Sequence, residues 1–149
     1  MISRILVAVD DSPASLGAAR AAVELAAGLG ARLRAVNVLR DHVLSQTLER
    51  MSGYQRVGER RDIAAAGVLG HVAALARAAG VEEVETCQLE GEPARCILAE
   101  ARAWPADLIV IAKSSQQRRA GEPYVGGETA NVLEFAERPV LVVPPQPPA

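Results

Sequence analysis

The chain has 149 residues, half of them apolar and 23% charged, with a formal net charge of -2 and a pI near 5.7. That length fits one domain able to bury a core, and the charge balance excludes a general pull toward nucleic acid or anionic membrane. Apolar runs are of strand length, below the roughly 18 or more residues of a membrane-spanning helix, and the chain reaches Asp10-Asp11 before a secretory core forms, so a cytoplasmic location is expected.

Ile2 to Val9 reads as a first strand. Ser12 is placed to cap a helix and Pro13 to occupy its first position, where a missing NH costs nothing. That helix is predicted to run to about Leu29, with Leu16, Ala19, Val23 and Ala26 on its buried stripe and Gly28 and Gly30 at its exit. Arg32 to Leu39 suits a second strand. From Arg40 to Arg61 the periodicity is poor, predicting a long surface connection with room for a helical turn. Ile63 to Ala79 is the next helix, with Val68, Val72 and Leu75 inward, Leu69 and Ala76 on the flank, and Gly80 as its stop. Val81 to Leu89 is predicted as the third strand, and Pro93 to Ala103 as a helix with Ile97, Leu98 and Ala101 inward.

The stretch from Asp107 to Val143 carries the most chemistry. Leu108 to Ala112 is an unbroken apolar run, as in a strand buried on both faces. A polar loop with Lys113, Arg118 and Arg119 follows, then Gly126-Gly127 and a helix placing Val132, Leu133 and Ala136 on one face. Pro139 precedes a last strand, Val140 to Val143, and a proline-rich tail spans 144–149. A strand, a glycine-bearing loop and a helix start bring unpaired NH groups and the helix dipole together, which suits an anion. The basic residues are unevenly typed: fifteen are arginine and Lys113 is the single lysine.

Alternating short strands and helices predict a five-stranded parallel sheet covered on both faces, a flavodoxin-like three-layer α/β/α sandwich in one domain over residues 1–143. Ligands of such sheets sit beyond the carboxyl ends of the strands, where the strand order reverses. Cys87 and Cys96 are too few and wrongly spaced for a disulfide framework or zinc site, and are expected as small buried thiols. His42 and His71 form no catalytic or paired-His metal spacing. Aromatic residues are too sparse for base stacking.

Five segments in order resemble the universal stress protein family: Ile5-Leu6-Val7-Ala8-Val9-Asp10 with Ser12, Val36-Asn37-Val38, Gly91-x-Pro93, Asp107-Leu108-Ile109-Val110, and Asn131-Val132-Leu133 through Pro139-Val140-Leu141-Val142-Val143. The resemblance covers essentially the whole chain. It implies an adenine-nucleotide pocket, with Asp10 and Val38 facing ribose and adenine, and a homodimer through the last strand. Ala8, Asp10, Val38, Lys113, Gly126, Gly127 and Thr129 are the candidate binding residues, Lys113 through its own charge rather than through the resemblance.

The family's ATP binders look like G-x2-G-x9-G-[ST] after the fourth strand. Counted back from the terminal strand, Gly126 takes the third glycine and Lys113 and Gln116 the first two. Counted forward from Asp107, Ala112 and Ser115 take those two. Neither register restores a glycine, and Gly127 replaces the hydroxyl residue. Side chains there disfavour the backbone that cradles a phosphate, and Glu128 adds repulsion.

The resemblance also implies that the first and fourth strands are neighbours, so that Lys113 and Asp10 emerge side by side. An ion pair between them is expected to take the nucleotide's place, against the plainer readings of a helix-turn carboxylate and a solvated lysine. The reading is therefore a non-catalytic stress-response protein with a degenerate nucleotide pocket, no required cofactor and an unidentified protein partner. The alternatives are ATP, with magnesium, or another phosphorylated ligand held by Lys113, Arg118 and Arg119, and slow ATP hydrolysis with a metal ion on Asp10.

Overall fold

The computed structural model describes residues 1–40, 57–114 and 125–146. Five strands and four helices alternate: β1 (Arg4–Ala8), α1 (Pro13–Leu29), β2 (Arg32–Leu39), α2 (Val57–Ala78), β3 (Val84–Glu90), α3 (Pro93–Ala103), β4 (Leu108–Ala112), α4 (Gly127–Phe135) and β5 (Val140–Val143). The strands form one sheet in the order β3-β2-β1-β4-β5, and every pairing is parallel. The expected flavodoxin-like sandwich is thus the observed fold. Of the irregular connection expected from Arg40 to Arg61, residues 41–56 lie outside the described residues, and α2 begins within it at Val57.

Side-chain alternation divides the core into two layers. Ile5, Val7 and Val9 join Leu33, Ala35, Leu108 and Val110 against α1 and α2. Leu6, Val36, Ile109 and Ile111 join Ala94, Ile97 and Ala101 of α3, Trp104 at its C-cap, and Val132 of α4. β4 is buried at all five residues, as its unbroken apolar run requires.

Helix ends follow from local chemistry. Ser12 caps α1 by accepting from the Ser15 NH at 3.2 Å. The helix closes on Gly30, whose φ of 64° lets the Ala31 NH turn back to the Ala26 carbonyl. The Val81 NH likewise returns to the Ala76 carbonyl. Val81 is therefore buried as part of the α2 exit, and β3 starts three residues later than its hydropathy indicates.

Three expected helix faces are corrected. In α1 the buried set is Ser15, Ala18, Ala19, Ala22, Val23 and Ala26, and Leu16 is only half-buried. In α2 Ala65, Leu69, Val72, Ala73 and Ala76 are buried, whereas Val68 and Leu75 lie at the margin. In α4 only Thr129 and Val132 are buried, Ala136 lies past the helix, and Leu133 is 45% exposed. Small residues let a helix approach the sheet closely, so these helices turn alanines inward and displace larger apolar groups to the flank. The two cysteines are also only partly buried; burial and then nearby carboxylates push both thiols up.

Two polar clusters stitch the sheet. Arg34 on β2 pairs with Glu85 on β3 and Glu100 on α3, and stacks over Trp104 at 4.8 Å. Burial opposes its charge, yet the two carboxylates outweigh that and hold the guanidinium above its ordinary value. Across the sheet, Asp107 Oδ2 accepts from the Ser3 NH at 2.9 Å, Ser3 Oγ at 3.0 Å and the Arg4 NH at 2.9 Å. The Ser3 backbone bond is the main cause that lowers the Asp107 carboxyl below its ordinary value.

Because Arg34 and Glu100 are only 20% and 15% exposed at their side chains, Glu100→Ala should cost about 1 to 3 kcal/mol in urea unfolding, between exposed and buried pairs. A lowered Asp107 means stability that is present above about pH 4 and lost as pH falls through the lowered value. Asp107→Ala should accordingly lower the urea midpoint at pH 7, and its gap to the parent should close on acidification below about pH 4.

Candidate functional site

The chain winds from β1 through β2 to β3 in one direction and through β4 to β5 in the other, so the strand order reverses at β1. Such a reversal splays the connections leaving neighbouring strands and opens a crevice at their carboxyl ends. A cavity of about 700 Å³ lies there.

One wall is apolar. Ala8, Val36 and Val38 from β1 and β2 face the cavity with Pro93 and Ile97 of α3 and Ile111 of β4. α3 is held in place by Glu92, which caps it by accepting from the Ala94 and Arg95 NH groups. Ala64, Ala65 and Val68 of α2 close the opposite side.

The polar wall begins with Asp10. Its NH donates to Ser15 Oγ at 2.7 Å, and its Oδ1 accepts from the Ser12 NH at 2.7 Å. A carboxylate placed just before a helix start turns naturally onto that amide. Next to it, Asn37 is 7% exposed and donates its Nδ2 to the Val9 carbonyl at 2.8 Å. A carbonyl accepts only from the amide nitrogen, so this bond orients the side chain and leaves Asn37 Oδ1 without a partner.

At the far end stand Ser114, Gly126, Gly127, Glu128 and Thr129. Thr129 Oγ1 donates to the Ala112 carbonyl at 2.8 Å, fastening the first turn of α4 to the end of β4. The hydroxyl thus positions the helix. Gly126 has an ordinary φ of -59°, and no side chain caps the helix. Its smallness matters for approach instead: a Cβ there would lie 3.3 Å from Ser114 Oγ and 3.4 Å from Ser114 Cα. Neither Gly126 nor Gly127 has a positive φ. Across the mouth, Arg40 at the end of β2 makes an ion pair with Glu128 in the first turn of α4.

Six of the expected site residues therefore meet at one cavity: Ala8, Asp10, Val38, Gly126, Gly127 and Thr129. Lys113 does not line it. Its NH donates to the Val143 carbonyl and its carbonyl accepts from the Gly126 NH, both at 2.9 Å, continuing the β4 to β5 ladder. The expected Asp10–Lys113 ion pair is absent among the described residues, and Asp10 turns its carboxylate to Ser12. Gln116, Arg118 and Arg119 lie outside the described residues. Among those described, no group of three His, Cys, Asp or Glu side chains is placed to hold a metal ion.

Sequence reasoning missed Asn37 and Arg40 as cavity residues. Asn37 left a signal, a polar residue inside the apolar Ala35 to Leu39 run. Arg40 left none, because its role depends on β2 ending and α4 starting at the same rim.

No helix among the described residues is long and apolar enough to cross a membrane. The family model for the universal stress protein family matches residues 1–144. Among solved structures, a protein of that family from Burkholderia pseudomallei is 27% identical, with 97% of each chain covered and a TM-score of 0.74. The universal stress protein from Archaeoglobus fulgidus is 25% identical, with 96% of this chain and 99% of that one covered and a TM-score of 0.73. The Archaeoglobus fulgidus protein in complex with dAMP is 26% identical over the same shares, with a TM-score of 0.68. No curated protein matches the chain. With the family's sequence pattern running through nearly every element of this sheet, the chain belongs to the universal stress protein family.

Proposed function

We propose that this protein is a non-catalytic, nucleotide-responsive member of the family, which takes an adenine nucleotide in the cavity at the carboxyl ends of β1, β2 and β4. The observation that carries this reading is the meeting of Ala8, Asp10, Val38, Gly126, Gly127 and Thr129 around about 700 Å³ of space. That volume lies in the range of small-molecule sites. The apolar wall of Val36, Val38, Pro93 and Ile97 suits a flat base, and the Asp10 carboxylate beside it suits sugar hydroxyls. The dAMP complex of the Archaeoglobus fulgidus relative is consistent with it.

The phosphate end is the degenerate part. The family's two leading loop glycines are replaced in either register, and Glu128 sets a negative charge where the α4 dipole would otherwise favour an anion. Binding, and the contact it transmits to a partner, is then the protein's activity.

The β5 edge is read as a homodimer surface. β5 ends the sheet, Leu141 is 37% exposed on it, and Phe135 and Leu133 of α4 are 62% and 45% exposed. An apolar edge strand exposes unpaired backbone groups that a second copy would satisfy.

Calorimetric titration of the purified protein with AMP should show one site per chain, and Val38→Asp should weaken it by about tenfold or more, the cost of a charge against a base. A flat titration with AMP and ATP, with and without magnesium, counts against the reading. Light scattering of the parent should give a dimer, and Leu141→Lys should shift it to monomer with unchanged circular dichroism.

A further inference from the structure

We infer that the Arg40–Glu128 ion pair makes this cavity discriminate by phosphate number, favouring an adenine nucleoside or its monophosphate over the triphosphate. The inference rests on the nucleotide reading of the cavity and specifies the ligand class within it.

The described rim of the cavity carries more carboxylates than cations. Among the described lining residues Arg40 is the one cation, against Asp10, Asp11 and Glu128. Arg40 is already taken, because its guanidinium is paired with Glu128 from the first turn of α4. An entering phosphate must therefore compete with a carboxylate for that guanidinium. If it succeeds, the displaced Glu128 stays beside it as an unpaired negative charge. One phosphate meets this once. Each further phosphate adds charge facing the same carboxylates while bringing no new cation from the described lining.

The other polar groups point the same way. Asp10 and Asp11 bring carboxylates to the lining, whose oxygens accept hydrogen bonds. Acceptors receive hydroxyl and amine donors, which the nucleoside carries and added phosphates do not supply. Thr129 Oγ1 already donates to Ala112, so this hydroxyl adds no donor for phosphate. The uncapped first turn of α4 does offer amides; Glu128, in that same turn, offsets their attraction.

The test is calorimetric titration with adenosine, AMP and ATP in EDTA at low salt, on the parent, Glu128→Gln and Arg40→Gln. In the parent, ATP should bind no more tightly than AMP. Glu128→Gln should tighten ATP by about fivefold, the scale of an exposed ion pair, with a smaller gain for AMP and the smallest for adenosine. Arg40→Gln should weaken ATP further. A measurement on the parent alone stands beside these: added salt should raise ATP affinity relative to adenosine by screening repulsion. ATP binding more tightly than AMP, an equal gain for all three ligands, or ATP affinity falling with salt would overturn the selectivity while leaving the cavity a nucleotide site. Absence of heat with every ligand, adenosine included, would overturn the nucleotide reading and the selectivity with it.

Discussion

The double pairing of β1 is the constraint on which the rest of this structure depends. Its residues hydrogen-bond to β2 on one side and β4 on the other, so Ile5 to Val7 lie at the sheet centre with no exposure. A strand in that position must be apolar on both faces, and it must hand the chain to a helix at once, because both lateral directions are occupied. The Asp10 to Pro13 turn does this. The same reversal that makes β1 central leaves the space above its carboxyl end unfilled. Core and cavity are two results of one topology.

The helices show how closely this sheet is covered. α1 turns alanines and a serine onto β1 and β4, and α2 presents Ala65, Ala73 and Ala76 with Leu69 and Val72. Small side chains cost little rotamer entropy on burial and allow short interlayer distances. Larger apolar groups are then left at margins. Val68 serves as cavity wall, and Leu133 and Phe135 remain on the outside of α4.

β4 and β5 were legible because hydrophobic runs in parallel sheets are unbroken and bounded, and β2 and β3 by their alternation and bounding turns. β2, α3, β4 and β5 lie where Arg32, Pro93, Leu108 and Val140 open them in the sequence. Ser12 and Gly30 announced the ends of α1 through capping chemistry. Helix faces were harder to read. A stripe drawn through the largest apolar residues assumes that size decides burial, whereas the sheet selected the small ones. Most of the cavity was legible through Asp10, Val38 and Gly126, which the family resemblance picked out and the fold brings to one rim. Lys113 misled because adjacency of strand ends does not decide where a side chain turns, and Asp10 had a nearer donor in the Ser12 amide. The Arg40–Glu128 contact joins residues distant in sequence, so no local pattern announces it.

The bonds from Asp107 to Ser3 and Arg4, spanning 104 and 103 positions of sequence, have a consequence for synthesis. On a ribosome, β1 finds β2 within a few tens of residues, but its other flank stays open until β4 has been made. During that interval its apolar flank is a raw edge, able to pair with any other extended chain. Nascent polypeptides that end before Leu108 keep this edge permanently. Premature termination between β3 and β4 therefore yields products suited to capture by chaperones or to aggregation.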